Sequence, residues 1–470
     1  MDGIAAFKKE EDQLFAAILN SRWYNVWKNP EQNFGLWESS QLELFITADC
    51  NLRCGYCYLT RCGEELYPTV LRDEEVILGN IRLILQHIRE EGLSLPSLEL
   101  FSGEIWHTEF GLKVLQVVAE EIALGTSVRH VIIPSNCSFI LDTEQTEKIQ
   151  NAINIFRELG SALVFSCSVD GLIVEDIARP MKDSEIVRGQ SFYDALFAFA
   201  KVNNYYFHPM VAASSIEQWR ENFDWYAMMC ARYDIPFPVG VMMLEVRNDD
   251  WTEEKLEHLK LFYSHVINYY INEVHDGSVK RFVGDVFGVE VDGKPIVRSG
   301  LVRGYVNISV GESYSFPSCS IAQCFTVRCG DLSIVPCHRA SYDHFIGGRF
   351  VVDDGKITGT EARNVQVISK TWFANVRSGF FGCDSCKFAT VCLKACIAEQ
   401  YEENGELFVC NPSVCNLLRT KVLHLIDQYD KRGIWDMLNA VTPTNPYYAS
   451  ARRILDMVHE VIREEASINA

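Results

Sequence analysis

Positive charge is scarce in this sequence. Lysine and arginine total 43 against 63 aspartates and glutamates, a formal net charge of −20 over 470 residues. No basic run is long enough to follow a phosphate backbone, which argues against nucleic acid as a partner. No apolar stretch approaches the ~20 residues that a membrane-crossing helix needs. The opening Met1-Asp2-Gly3-Ile4-Ala5-Ala6-Phe7-Lys8-Lys9-Glu10 lacks the basic-then-apolar order of a secretory signal. These absences together predict a soluble cytoplasmic protein with no membrane partner. Thiols stay reduced in that compartment. The 17 cysteines therefore read as metal ligands, reactive groups or buried core thiols rather than disulfides.

What is present is core-forming material: 48% of the residues are hydrophobic and 12% aromatic, far from a disordered composition. At roughly 150 residues per domain the chain holds two to four structural units. Residues 1–41 predict a helical lead-in, with Phe15, Leu19, Trp23 and Trp27 at helical spacing. From Leu42 onward, short apolar runs alternate with longer helical patterns. Strands are expected at Leu42–Thr47, Leu98–Phe101, Val128–Ile133, Leu163–Val169, Tyr206–Ala213 and Val239–Glu245. Helices are expected at Asp73–Glu90, Leu112–Leu124, Thr143–Leu159, Ser191–Val202, Trp219–Tyr233 and Thr252–Tyr270. Strands alternating with helices in this way give βα units and a parallel sheet. Six units are too few for a closed eight-unit barrel.

Directly after the first strand stands Cys50-Asn51-Leu52-Arg53-Cys54-Gly55-Tyr56-Cys57, three thiols at C-x3-C-x2-C spacing with an aromatic before the last. Three thiolates on one short loop can hold three irons of a [4Fe–4S] cluster and leave the fourth open to a small molecule. A zinc knuckle is the other chemistry such spacing serves, with Cys62 available as a fourth ligand. The loop resembles the signature of the radical S-adenosylmethionine (radical SAM) enzymes. In that family the open iron chelates S-adenosylmethionine, and one electron cleaves it to methionine and a 5′-deoxyadenosyl radical that abstracts a substrate hydrogen. The resemblance implies an α/β fold, a partial (β/α)6 TIM-like barrel over residues 42–290, with reactive groups at the C-terminal ends of the strands.

Further matches to the family fall at strand ends. Phe101-Ser102-Gly103-Glu104 resembles the G-G-E segment that holds the methionine ammonium, with Ser102 for the first glycine and Ile105 where proline is usual. Ser135-Asn136-Cys137 resembles the T-N-G turn, and Ser166-Cys167-Ser168-Val169-Asp170-Gly171 the S-x-D-G strand end. Arg179 matches the arginine that reaches the cofactor carboxylate, a task suited to a guanidinium fork that keeps its charge. The implied cofactor-binding set is Gly103, Glu104, Ser135, Asn136, Ser168, Asp170 and Arg179. Cys137, Cys167 and Cys230 lie in apolar or strand settings and read as inert core thiols.

Ten cysteines crowd residues 319–415: Cys319, Cys324, Cys329, Cys337, Cys383, Cys386, Cys392, Cys396, Cys410 and Cys415. Cys392 and Cys396 are four apart in a segment that could be helical, in which case both thiols can face one side. The field exceeds what one zinc site uses, and it resembles the SPASM extension of radical SAM cores, placed here at residues 291–430 ahead of a C-terminal helical segment, 431–470. By that resemblance Cys319, Cys324, Cys337 and Cys396 hold a first auxiliary cluster, with Cys329 as an alternative to Cys324. Cys383, Cys386, Cys392 and Cys415 hold a second, with Cys410 as an alternative to Cys415. Together with Cys50, Cys54 and Cys57 this makes three [4Fe–4S] clusters with one open iron.

The combined resemblance implies an enzyme, a maturase acting on a peptide or protein side chain. Crosslinking of a ribosomal peptide (RiPP maturation) is the main expectation and formylglycine formation, as in anaerobic sulfatase maturases, the alternative. A non-catalytic iron–sulfur electron carrier would have no use for Glu104, Asn136, Asp170 and Arg179 at strand ends. The expected partners are the peptide or protein substrate and an external electron donor of flavodoxin or ferredoxin type. The 41 residues ahead of the core are short for a leader-binding winged helix, so leader recognition is expected either to be absent, which would suit a sulfatase maturase, or to be supplied by a separate leader-binding protein. Glu245 and Asp249, with Asp250, are candidate bases; the same carboxylates could cap the helix beginning near Thr252. His338, beside Cys337, is expected to hydrogen-bond near a ligand rather than react.

Overall fold

The computed structural model describes residues 42–59, 71–183, 185–237, 245–287, 325–362, 396–405, 411–434 and 436–437. The expected helical lead-in, most of the sixth strand, and Cys62, Cys319, Cys324, Cys383, Cys386, Cys392 and Cys410 lie outside them. The chain divides into two compact units. Among described residues the first draws on 42–169, 179–207 and 325–362, the second on 170–178, 208–287 and 396–437.

The first unit is a mixed α/β layer structure. Its strands are β1 (Leu42–Phe45), β2 (Ser94–Phe101), β3 (Ser127–Ser135), β4 (Ala162–Cys167), β5 (Tyr205–Phe207), β6 (Phe325–Arg328), β7 (Ser333–Val335), β8 (Gly348–Asp353) and β9 (Lys356–Ala362). They form one sheet in the order β5-β4-β3-β2-β1-β6-β7-β8-β9. β1 to β5 are parallel, as the alternating pattern predicts, and β6 joins β1 in parallel while β7 to β9 run antiparallel. The helices α1 (Glu74–Glu90), α2 (Glu109–Ala123), α3 (Thr143–Glu158) and α4 (Gln190–Val202) connect the parallel strands.

Local chemistry sets these boundaries. Asp73 accepts from Val76 N and starts α1; Thr108 accepts from Gly111 N and starts α2; Asp142 accepts from Glu144 N and Gln145 N and starts α3. α1 then buries Ile77, Ile81, Ile84, Leu85 and Ile88 on one face. Each such side chain contributes about 1.5–3 kcal/mol over leaving it in water. The core strands carry Leu42, Leu44, Leu98, Leu100, Val131, Ile133, Leu163 and Phe165, all fully buried.

Glu43 is the exception on β1. It is buried, and it accepts from Thr326 Oγ1 on β6 and pairs with His338 Nδ1 at 3.1 Å. Burial alone would push its carboxyl up; the His338 charge and these hydrogen bonds outweigh that and hold it below the ordinary value. The His338 ring also stacks on Phe101 with centroids 4.1 Å apart.

The second unit is helical: α5 (Trp219–Tyr233), α6 (Glu253–Tyr269), α7 (Val279–Phe287), α8 (Ile397–Asn404) and α9 (Pro412–Lys431). Trp219 and Phe223 of α5 pack edge-on against Phe262 of α6. Glu245, the last residue of the expected sixth strand, forms an isolated parallel bridge with Val211. No helix among the described residues is long and apolar enough to cross a membrane.

Candidate functional site

The loop leaving β1 is stitched to the end of β2. Ile46 N donates to Phe101 O at 2.9 Å, Gly103 N to Thr47 O at 2.8 Å and Glu104 N to Asp49 O at 2.7 Å. This rail explains the glycine of the Gly-Glu pair. A Cβ on Gly103 would stand 2.6 Å from the Ala48 carbonyl oxygen and closer still to that of Asp49, distances real side chains do not adopt. At Ser102, where the family pattern has glycine, the hydroxyl is buried and has no hydrogen-bond partner among the described residues.

Glu104 is 2% exposed. It accepts from Ser135 Oγ at 3.0 and 3.1 Å and from the backbone N–H of Asn136. Burial pushes its carboxyl up to about 7 even against those donors and the charge of Arg179. A buried carboxylate so poised fits a cationic ligand group, whose ammonium would favour the ionised form.

Asn136 completes the connection. Its Nδ2 donates to Asn51 Oδ1 at 2.8 Å within the cysteine loop and lies 4.0 Å from Cys50 Sγ. Its Oδ1 accepts from Ser138 N and Oγ. Cys137, in the place of the family's glycine, has a left-handed backbone with φ of 61°, a conformation glycine adopts without strain. Ser168 N donates to Ser135 O at 2.7 Å, joining the β3 and β4 ends. Arg179 is buried, and its Nη1 donates to the Tyr56 hydroxyl at 3.3 Å. Gly103, Glu104, Ser135, Asn136, Ser168 and Arg179 thus all belong to the first unit, as the cysteine loop does.

Asp170 belongs to the second unit. Fully buried, it accepts from Met210 N at 2.8 Å, its carbonyl accepts from Asn222 Nδ2, and its N–H donates to Glu175 at 2.6 Å. These bonds fasten the loop that follows β4.

Two of the described cysteine sulfurs accept backbone N–H groups. Cys50 Sγ accepts from Leu52 N at 3.4 Å, and Cys337 Sγ from Ala340 N at 3.3 Å. Sulfurs dressed by N–H donors suit thiolate ligands. Cys137, Cys167 and Cys329 do the reverse, each donating to the carbonyl two residues earlier. Cys329 is also fully buried, with its thiol pushed well above the ordinary range by burial. Burial pushes the Cys230 thiol up to about 12, in keeping with an inert core position.

Cys54 is buried and Cys57 half-buried, in a turn closed by Cys57 N donating to Cys54 O. Burial first, then the charges of Glu104, Cys54 and Cys57, push the Cys50 thiol up to about 12. Three thiols within electrostatic reach of one another cannot ionise together without a positive centre, the circumstance in which metal-bound thiols lose their protons. No three histidine, cysteine or acidic side chains among the described residues converge on a single-ion site. The donor set fits a cluster of several irons by residue type and spacing, and at Cys50 by its N–H···S bond.

One sequence expectation is revised. Cys396 precedes α8 with extended backbone, φ −63° and ψ 129°, so the helical i, i+4 argument for pairing it with Cys392 does not hold. Cys415 lies exposed in the first turn of α9, as the helix-opening pattern predicts. The candidate bases have structural partners. Glu245 is buried between Lys421 Nζ, at 2.7 Å, and the Tyr263 hydroxyl. Asp249 accepts from Ala213 N at 2.7 Å, and α6 is capped by Thr252 instead.

A cavity of about 420 Å³ reaches Cys50, Asn51 and Glu104 and is walled by Arg72, His107 and Lys113. Asn51 and Tyr56 entered the sequence reading only as members of the cysteine motif; their contacts with Asn136 and Arg179 have no local signature.

No protein-family model and no curated protein matches this chain. Several solved structures resemble it in shape, three of them as follows. Polyhistidine-tagged anSMEcpe with bound AdoMet is 13% identical, with a TM-score of 0.48 over 89% of this chain and 99% of that one. Native anSMEcpe with bound AdoMet and Cp18Cys peptide is 14% identical, TM-score 0.47, over 85% and 99%. Native anSMEcpe with bound AdoMet is 13% identical, TM-score 0.49, over 85% and 100%. The likeness is one of shape, at an identity too low to carry residue roles across.

Proposed function

We propose that this chain is a radical S-adenosylmethionine enzyme that modifies a peptide or protein side chain. The observation that carries the proposal is the chain of contacts Cys50–Asn51–Asn136–Glu104. It ties a three-thiol loop at the end of β1 to a buried carboxylate at the end of β2 and a turn at the end of β3. In the proposed roles Cys50, Cys54 and Cys57 hold a [4Fe–4S] cluster, Glu104 takes the cofactor ammonium and Arg179 its carboxylate. When bound, the cluster supplies the electron that cleaves S-adenosylmethionine. The residues present do the rest by binding and orientation. The β1–β2 rail fixes Glu104 relative to Cys50, Ser135 and Asn136 aim its carboxylate, and burial excludes water.

We assign the auxiliary clusters to the cysteine-rich segment. The N–H···S bond at Cys337 supports this at one of the eight positions. Peptide crosslinking is the proposed outcome, with an external flavodoxin- or ferredoxin-type donor and a separate leader-binding protein as proposed partners. The test is anaerobic reconstitution with reductant and S-adenosylmethionine, measuring iron per chain and 5′-deoxyadenosine over time. About twelve irons with 5′-deoxyadenosine formation support the reading. Zinc in place of iron, or loaded protein that never cleaves the cofactor, overturns it.

A further inference from the structure

The segment that follows the short helix Glu175–Ala178 is zipped antiparallel to the cysteine loop. Arg53 N donates to Pro180 O and Lys182 N to Asn51 O, both at 2.8 Å, around a bridge between Leu52 and Met181. Arg179 heads this segment. Its backbone is restricted by the following Pro180, its carbonyl accepts from Arg188 Nη2 at 2.6 Å, and its guanidinium donates to Tyr56 at 3.3 Å. Arg188 is 1% exposed, with Cζ 5.9 Å above the Phe192 ring. Burying an arginine costs free energy that its contacts must offset. Here one donor is spent on the main chain of another arginine.

We propose that Arg188 and Tyr56 are positioning residues that hold Arg179 from its two ends, backbone and guanidinium, and so set selectivity for a ligand bearing a carboxylate. The inference rests on the cofactor reading above and deepens it. An arginine side chain free to sample its rotamers loses that freedom when it grips a ligand, and the lost entropy weakens binding. Arg179 has surrendered much of that freedom beforehand, so more of the contact energy appears as affinity. Tyr56 directly precedes Cys57, so the same hydroxyl links the guanidinium to the loop that carries the thiols.

The test uses anaerobically reconstituted protein and equilibrium dialysis with two probes, S-adenosylmethionine and its decarboxylated analogue. The wild type is expected to prefer the carboxylated ligand. Tyr56→Phe and Arg188→Met are each expected to weaken S-adenosylmethionine binding by roughly 3- to 10-fold, the range of one lost hydrogen bond, and to leave the analogue nearly unchanged. Arg188→Lys should restore part of the loss. Adding Tyr56→Phe to Arg179→Met should cost nothing more, because the two act as a unit. Equal losses on both ligands, or no loss on either, overturn the assignment. Tyr56→Phe removes one hydroxyl and keeps the test alive if Arg188→Met fails to fold. A wild type that binds neither ligand takes down the cofactor reading itself, an outcome distinct from the others.

Discussion

Glu104→Gln is the substitution whose consequence is most closely fixed by the structure. A free carboxyl titrates near 4.5, whereas Glu104 in the fold titrates near about 7 because burial disfavours its charge. The protonated form is therefore favoured by folding. Its stabilising effect is fully present below about 4.5 and is lost as pH rises through about 7. At about 1.4 kcal/mol per tenfold change in proton affinity, the loss approaches about 3 kcal/mol in the alkaline limit. It amounts to about 2 kcal/mol between pH 5.5 and 8. Glutamine keeps the shape and cannot titrate. The metal-free variant should therefore gain on the metal-free wild type as pH rises, by about 2–4 °C in thermal midpoint over that interval. Any fixed penalty from turning an amide toward the Asn136 N–H displaces both ends of the comparison equally. Melting both proteins across the pH series gives the slope. A difference that stays constant with pH refutes the reasoning, because Glu104 would then be ionised as readily in the fold as out of it.

Further substitutions probe other contacts. Gly103→Ala forces a Cβ against the Ala48 and Asp49 carbonyls; it should cost at least about 2 kcal/mol and sharply reduce iron incorporation, read by melting and metal analysis. Lys421→Met leaves Glu245 buried opposite Tyr263 and should cost about 3–5 kcal/mol. The double variant with Glu245→Gln should recover a large part of this, a coupling measurable in a double-mutant cycle. Cys337→Ser should lower iron per chain while Cys329→Ser leaves it unchanged, since only the former sulfur accepts an N–H. Cys137→Gly should show the opposing effects of relieved left-handed strain, about 1 kcal/mol, and a lost buried side chain, giving a small net change in melting.

The first four βα units were legible in the sequence because each strand is a short apolar run and each following helix has an apolar stripe. The misplaced boundaries have physical causes. β2 begins at Ser94 rather than Leu98, with Pro96 interrupting the strand pattern while its carbonyl still accepts from His130 Nδ1. β5 ends at Phe207 because Pro209 cannot serve a ladder, and Met210 N–H turns to the Asp170 side chain. α2 begins three residues early because Thr108 caps it. At the site, the thiols, Gly103, Glu104, Ser135 and Asn136 were readable as motifs at strand ends. Their mutual bonds were not, nor was the Glu245–Lys421 pair, whose members stand 176 residues apart. A lone carboxylate in a sequence looks the same whether it is a base or half of a buried ion pair.

The pairing of β6 with β1 has a consequence for biosynthesis. Glu43 and Thr326 are bonded neighbours 283 residues apart in the chain. At about 5–20 residues per second, β1 leaves the ribosome roughly 15 to 60 seconds before its partner exists. During that interval β2 can cover one edge of β1, while the other edge presents unpaired backbone and a carboxylate destined for the interior. Glu43 is well suited to that wait, because a charge on an exposed strand edge discourages pairing with other nascent chains. The same residue that the finished fold must bury and neutralise with His338 therefore serves, before burial, as a guard against premature association.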